Sequence, residues 1–102
     1  MKSISVQKLH EQFGHFLLLD VREKWEWDMA HVAGSVHMPL KDIPSRINEL
    51  DPTNSIAVLC HHGARSARAV DFLLQHGFTA VYNVDGGIDA WSREIDPSVP
   101  LY

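Results

Sequence analysis

The stretch of sequence that decides the fold is Ile56-Ala-Val-Leu-Cys-His-His-Gly-Ala-Arg-Ser66. Four apolar residues lead directly into Cys60, which is the only cysteine in the chain. A continuous apolar run of this length predicts a strand that is buried on both faces. A short loop containing Gly63 follows, and then a strong helical pattern begins. The sequence therefore predicts a strand that delivers a thiol to the N-terminus of a helix.

The position of this thiol predicts its chemistry. A helix N-terminus presents unpaired backbone N–H groups and the positive end of the helix dipole. Such an environment favours anions and the thiolate form of a cysteine. An isolated cysteine after an apolar strand is more often a small buried apolar residue. Because Gly63, Arg65 and the helix start follow it, we expect Cys60 to be a nucleophile, largely thiolate at neutral pH.

Length, charge and cysteine content limit the classes of protein. A chain of 102 residues predicts one domain, residues 1–102, with a core that needs no disulfide. The net charge of −4 gives no electrostatic basis for nucleic-acid or anionic-membrane partners. A single cysteine excludes an internal disulfide and a multi-cysteine zinc site. No apolar run approaches the length of a membrane span. We expect a cytoplasmic protein that needs no cofactor.

Strand and helix patterns alternate along the chain. The predicted strands cover residues 16–21, 36–37, 56–59 and 80–84. The predicted helices cover residues 5–13, 23–30, 43–50, 64–76 and 86–93. Strands that are apolar throughout predict an α/β fold with a mainly parallel sheet and helices on both faces. Ligands bind such sheets at the carboxyl ends of the strands, which is where Cys60 falls.

Four motifs in the chain carry a family resemblance. They are Leu19-Asp-Val-Arg-Glu23, His31-Val-Ala-Gly34 with Pro39, Cys60-His-His-Gly-Ala-Arg-Ser66, and Gly86-Gly87 with Trp91. With these motifs in this order, the chain resembles a single rhodanese-homology domain. The resemblance implies a rhodanese-like three-layer sandwich. It also implies sulfurtransferase activity, in which Cys60 carries a sulfane sulfur as a persulfide between a small anionic donor and a thiophilic acceptor. The initiating methionine and the full motif set favour a free-standing protein.

The loop after Cys60 is the predicted substrate-binding segment. Its residues are His61, His62, Gly63, Ala64, Arg65 and Ser66. We expect successive backbone N–H groups to point inward and form an anion-binding nest. Gly63 suits the unusual dihedral angles of such a loop. Arg65 is expected to close the ring with a permanent positive charge. Ser66 would either donate a hydrogen bond to the persulfide or cap the helix.

Residues beside this loop have less specific predicted roles. His61 and His62 could bind a metal together with Cys60, but adjacent ligands rarely satisfy one tetrahedral site. We therefore predict no metal and expect both histidines to shape the mouth of the pocket. Asp20 and Arg22 follow a buried strand, so we expect a structural ion pair or loop hydrogen bonds, with Asp20, Arg22 and Glu23 as candidates for support of the pocket.

Two other classes of function compete with sulfur transfer. Cysteine-type phosphatases also place a cysteine, a glycine-containing loop and an arginine before a helix, but their loop is one residue longer. They also need an acid for the leaving group, and nothing in the sequence marks Asp85 or Asp89 for that role. A silent binding or regulatory module is disfavoured because Cys60 and Arg65 are both present. A carrier that relays sulfur to a protein thiol stays open.

Overall fold

A five-stranded sheet forms the middle layer of the protein, whose computed structural model describes all of residues 1–102. The strands are β1 (Ser3–Ile4), β2 (Leu17–Asp20), β3 (Val36–His37), β4 (Ile56–Leu59) and β5 (Val81–Val84). Their spatial order is β1-β5-β4-β2-β3, and every pairing is parallel. The central strand is therefore β4, and Cys60 follows it directly at the carboxyl edge of the sheet.

Helices cover both faces of this sheet. They are α1 (Val6–Glu11), α2 (Lys24–Met29), α3 (Ile43–Arg46), α4 (Ala64–Gln75) and α5 (Gly87–Glu94). Residues of α3 and α4 share one apolar core with the sheet, and residues of α1 and α5 share the other. The predicted three-layer α/β sandwich is therefore confirmed. None of these helices has the length and apolar character needed to cross a membrane.

The apolar strands explain the two cores. Side chains alternate between the faces of a strand, so a strand that is apolar throughout must be covered on both sides. Val58 of β4 joins the core under α3 and α4, whereas Ala57 and Leu59 join the core under α1 and α5. All residues of β4 are fully buried. This burial anchors the strand that positions Cys60.

The largest differences between the predicted and the observed elements concern one strand and two helices. The sequence interpretation missed β1, which has only two residues and pairs with β5. The first helix begins as predicted, with Ser5 Oγ accepting from the Lys8 N–H at 3.1 Å, but it ends at Glu11. The helix predicted over residues 43–50 is only Ile43–Arg46, because the backbone at Arg46 leaves the helical range and a 3₁₀ turn follows.

Candidate active site

The thiol of Cys60 is buried at the end of β4, where the residue is 1% exposed. Its Sγ accepts a hydrogen bond from the Gly63 backbone N–H at 3.0 Å. Gly63 has φ +126°, a conformation that glycine adopts without strain and that lets the loop turn back over the sulfur. One backbone N–H of the predicted nest therefore reaches the sulfur, and a donated hydrogen bond stabilises negative charge there.

A hydroxyl group provides the second polar contact of the sulfur. Ser66 Oγ lies 3.2 Å from Cys60 Sγ, 3.2 Å from the Gly63 carbonyl oxygen and 2.5 Å from Asn83 Oδ1. A hydroxyl has one proton to donate, so these three acceptors compete for it. A negative charge on sulfur would draw that proton toward Sγ. Ser66 was predicted either to contact the sulfur or to cap α4. The structure has the contact with sulfur, whereas no side chain caps the start of α4.

Asn83 holds the loop and was not predicted from the sequence. Its side-chain Nδ2 donates to the Gly63 carbonyl oxygen at 3.1 Å, while its Oδ1 contacts Ser66. The amide thereby ties β5 to the loop that follows β4. The sequence feature that could have indicated this role is a polar amide inside the apolar strand Val81-Tyr-Asn-Val84, one residue before its carboxyl end.

The position of Arg65 differs from the prediction that it closes an anion nest. Its guanidinium forms a two-pronged ion pair with Glu26 of α2, with Nη1–Oε1 at 2.5 Å and Nη2–Oε2 at 2.8 Å. The Glu26 side chain is only 3% exposed. This pairing raises the pKa of Arg65, with a smaller contribution from the charge of Cys60. Arg65 is thus a fixed positive charge near the sulfur, with its planar fork bound to a carboxylate.

A buried polar network extends from this ion pair. Tyr102 Oη donates to Glu26 Oε2 at 2.7 Å and accepts from Arg22 Nη1 at 2.9 Å. Arg22 is fully buried and forms the predicted ion pair with Asp20, at 2.7 Å between Nη2 and Oδ2. It also donates to the Ala30 carbonyl oxygen at 2.6 Å. Arg22 therefore reaches the loop only indirectly, through Tyr102 and Glu26.

Replacement of Glu26 should change how the free energy of unfolding depends on pH in the acid range. The Arg65 hydrogen bonds, helped by Tyr102, lower the pKa of Glu26 to about 2 from an ordinary value of 4.5. Because the folded-state pKa is depressed, the stabilisation is present above pH 4.5 and is lost as pH falls toward 2. It amounts to at most about 3 kcal/mol. Glu26→Gln should lower the free energy of unfolding at pH 7 and flatten its decrease between these pH values.

The matched control for this prediction is the exposed pair of Glu49 and Arg46, which are 2.9 Å apart. Surface ion pairs contribute little because solvent screens them. Glu49→Gln should therefore change the acid dependence far less than Glu26→Gln. Urea unfolding monitored by tryptophan fluorescence at several pH values measures both. Equal pH profiles for Glu26→Gln and the unmodified protein would contradict the prediction.

Three polar side chains form the rim beside the loop. The His61 ring stacks between His62, at a centroid distance of 4.0 Å, and Tyr102, at 4.1 Å. Partial burial lowers the pKa of His61, and the neighbouring His62 lowers it further. The ligand atoms of His61, His62 and Asp89 lie within 4.8 Å of one another. The histidines were placed at the pocket mouth by the sequence interpretation, but the approach of Asp89 was not foreseen.

The first turn of α5 is bonded directly to the loop. The Ile88 N–H donates to the Cys60 carbonyl oxygen at 2.9 Å, and the Asp89 N–H donates to the His61 carbonyl oxygen at 3.2 Å. Gly87 permits this approach, because a Cβ there would lie 2.5 Å from the Cys60 carbonyl oxygen and even closer to that of His61. Of the paired glycines in the sequence, Gly87 is the one that allows this backbone contact, and the contact holds the loop in place.

A parallel α/β sheet with a cysteine, a glycine-containing loop and a helix at its carboxyl edge defines a class of proteins with a cysteine-centred site. The chain belongs to the rhodanese-like domain family, whose model matches residues 5–94. It is 36% identical to the Rhodanese-like/PpiC domain-containing protein 12, chloroplastic, of Arabidopsis thaliana. That match covers 100% of this chain but 38% of the relative, so the chain spans well under half of that protein.

Solved structures agree with this assignment. A rhodanese-related protein from Thermoplasma volcanium has a TM-score of 0.88 and 36% identity, over 93% of this chain and 94% of the other. A rhodanese-like domain protein from Staphylococcus aureus has a TM-score of 0.86 and 28% identity, over 100% of this chain and 99% of the other. The three-layer sandwich is therefore that of rhodanese-like proteins.

Proposed function

We propose that the protein is a sulfurtransferase that carries sulfane sulfur as a persulfide on Cys60. The observation that carries the proposal is the pair of polar contacts at Sγ, with the Gly63 N–H as donor and the Ser66 hydroxyl at 3.2 Å, in a rhodanese-like domain. Both can stabilise negative charge on a thiolate and on the terminal sulfur of a persulfide. The fixed charge of Arg65 favours the same anions.

The proposed reaction has two half-reactions. The Cys60 thiolate attacks the outer sulfur of thiosulfate, a new S–S bond forms, and sulfite leaves with the electron pair of the broken S–S bond. A nucleophilic acceptor such as cyanide, a dithiol or a protein thiol then attacks the outer sulfur and returns the electron pair to Cys60 as thiolate. A low-molecular-weight persulfide can replace thiosulfate as the donor. This is covalent catalysis with ping-pong kinetics.

The burial of the thiol sets a condition on this reaction. Cys60 is 1% exposed, and none of the surface cavities is lined by it. A donor can contact Sγ only after the groups that cover the sulfur move. Because no second cysteine exists in the chain, the persulfide must transfer its sulfur to an outside acceptor. The proposed setting is the cytoplasm, where thiol acceptors are kept reduced.

The contacts of the loop favour sulfur transfer over the phosphatase alternative. Phosphoryl transfer needs donors aimed at the equatorial oxygens, whereas Arg65 directs one N–H of each Nη atom at Glu26. It also needs an acid for the leaving alkoxide, and the hydrogen bond from Arg93 lowers the pKa of Asp89, which favours the ionised form. Sulfite is a stable anion that leaves without a proton, so sulfur transfer requires no such acid.

Intact-mass analysis tests the proposed function. After incubation with thiosulfate, we expect the protein to gain the mass of one sulfur atom, and cyanide or a dithiol should remove it. A parallel incubation with an aryl phosphate ester should yield no phosphoprotein and no hydrolysis. Absence of a sulfur adduct with thiosulfate and with persulfide donors would contradict sulfur transfer. A phosphoprotein would support the phosphatase alternative instead.

A further inference from the structure

We propose that His61, His62 and Asp89 form a binding site for Zn²⁺ at the rim of the Cys60 loop. The three side chains come from two parts of the chain, the loop after β4 and the first turn of α5. They offer two imidazole nitrogens and one carboxylate oxygen, which are ordinary zinc ligands, and Asp89 supplies from a second segment the ligand that the adjacent histidines alone lacked. Three protein ligands leave the fourth position of a tetrahedral ion for water or a small anion.

The ligand atoms of the three residues are near enough to converge on one ion after a side-chain movement. Zinc bonds of about 2.0–2.1 Å place tetrahedral ligand atoms about 3.4 Å apart. In the structure the ligand atoms of the three residues lie within 4.8 Å of one another. His62 is exposed, so a side-chain rotation can close the remaining gap without disturbing the core.

The backbone already holds the site together. The hydrogen bond from the Asp89 N–H to the His61 carbonyl oxygen, at 3.2 Å, fixes the carboxylate next to the first histidine. At Gly87 the backbone of α5 lies so close to the carbonyl oxygens of Cys60 and His61 that no side chain fits between them. Stacking against Tyr102 limits the orientations of the His61 ring. Two of the three ligands are thus positioned before an ion binds, which lowers the entropy lost on binding.

The only competing partner of the carboxylate is weakly held. Arg93 Nε lies 3.0 Å from Asp89 Oδ2, and the Arg93 side chain is 61% exposed. An exposed pair of this kind contributes little, and Oδ1 has no side-chain partner. Imidazole nitrogen suits Zn²⁺, whereas Mg²⁺ prefers sites built from oxygen. The donor set therefore selects zinc over the abundant hard cations.

Calorimetric titration of the full chain with Zn²⁺ alone, and with Mg²⁺ in parallel, tests the site. We expect one Zn²⁺ per chain and no heat of binding with Mg²⁺. His62→Ala and Asp89→Asn should each weaken Zn²⁺ binding by more than about tenfold, because each removes a direct ligand and even loss of an outer-shell partner costs about 10–100-fold. Arg93→Ala is the matched control, since it removes the competing cation and keeps all three ligands. It should bind Zn²⁺ as well as the unmodified protein or more tightly.

Two further variants test whether binding is confined to the three proposed ligands. His15→Ala removes an exposed histidine outside the cluster and should leave binding unchanged. Cys60→Ser should also retain binding, because the thiol is not among the proposed ligands. Absence of stoichiometric Zn²⁺ binding, unchanged affinity in Asp89→Asn, or loss of binding in Cys60→Ser would overturn the proposal. Equal affinity for Mg²⁺ would overturn it as well. None of these outcomes depends on sulfur transfer, so the two proposals fail separately.

Discussion

Replacement of Cys60 by serine should abolish sulfur transfer and leave the fold intact. Serine differs from cysteine at one atom and fits the same buried position, but its hydroxyl cannot accept a sulfane sulfur under these conditions. Loss of the nucleophile should reduce thiosulfate-to-cyanide turnover by at least about a thousandfold. Turnover assays and intact mass after thiosulfate treatment measure the loss, and circular dichroism monitors the fold.

Ser66→Ala provides the matched comparison for Cys60→Ser. It keeps the thiol but removes the hydroxyl that lies 3.2 Å from Sγ. A hydrogen bond to a charged group contributes about 1.5–3 kcal/mol, so we expect a decrease in rate of about 10–100-fold with a sulfur adduct still formed. Persistent turnover in Cys60→Ser would show that another group is the nucleophile. An unchanged rate in Ser66→Ala would show that the hydroxyl does not stabilise the sulfur anion.

Replacement of Gly87 by alanine should have the largest effect on stability. The added Cβ would lie 2.5 Å from the Cys60 carbonyl oxygen and closer to that of His61. Both oxygens belong to backbone, which cannot move aside like a flexible side chain. Gly87 also has φ +61°, which disfavours a side chain. We expect a loss of about 2–4 kcal/mol in the free energy of unfolding and a fall in Tm of roughly 10 °C or more.

Gly14→Ala is the control for Gly87→Ala. No heavy atom lies within 4 Å of a Cβ built at Gly14, and its φ is not in the left-handed region. The substitution should change the free energy of unfolding by no more than about 0.5 kcal/mol. Thermal unfolding by circular dichroism compares the two variants. A Gly87→Ala protein as stable as Gly14→Ala would mean that α5 and the loop separate freely.

Much of the fold could be predicted because its signals are local. The run from Ile56 to Leu59 is apolar at every position, and the structure has a strand with those bounds. The helical pattern that begins at Ala64 gives α4, which ends at Gln75, one residue earlier than predicted. A strand, a loop and a helix that are adjacent in sequence fix where Cys60 lies. The fold class followed from those elements, because apolar strands alternating with helices require a covered parallel sheet.

The side chains that hold the loop could not be predicted in the same way. Arg65 binds Glu26, which is 39 residues away in sequence, and Asn83 contacts Ser66 across 17 residues. Periodicity describes which face of an element is apolar but not which charged groups meet between elements. The structure has a capping box at the start of α2, in which the Glu23 N–H donates to Glu26 Oε1 at 3.0 Å, although Glu23 is not the serine or threonine usual at its first position. The second role of Glu26, as the partner of Arg65, depends on the packing of α2 against the loop.

The contact between Tyr102 and Arg22 spans 80 residues, which has a consequence for the order of events during synthesis. A ribosome adds about 5–20 residues per second, so seconds pass between the addition of Cys60 and that of Tyr102. Throughout that interval the nascent chain contains Cys60 and His61 without the tyrosine that stacks on His61. The hydrogen bonds that join Glu26 to Arg22 through Tyr102 can therefore form only after the rest of the site has been synthesised.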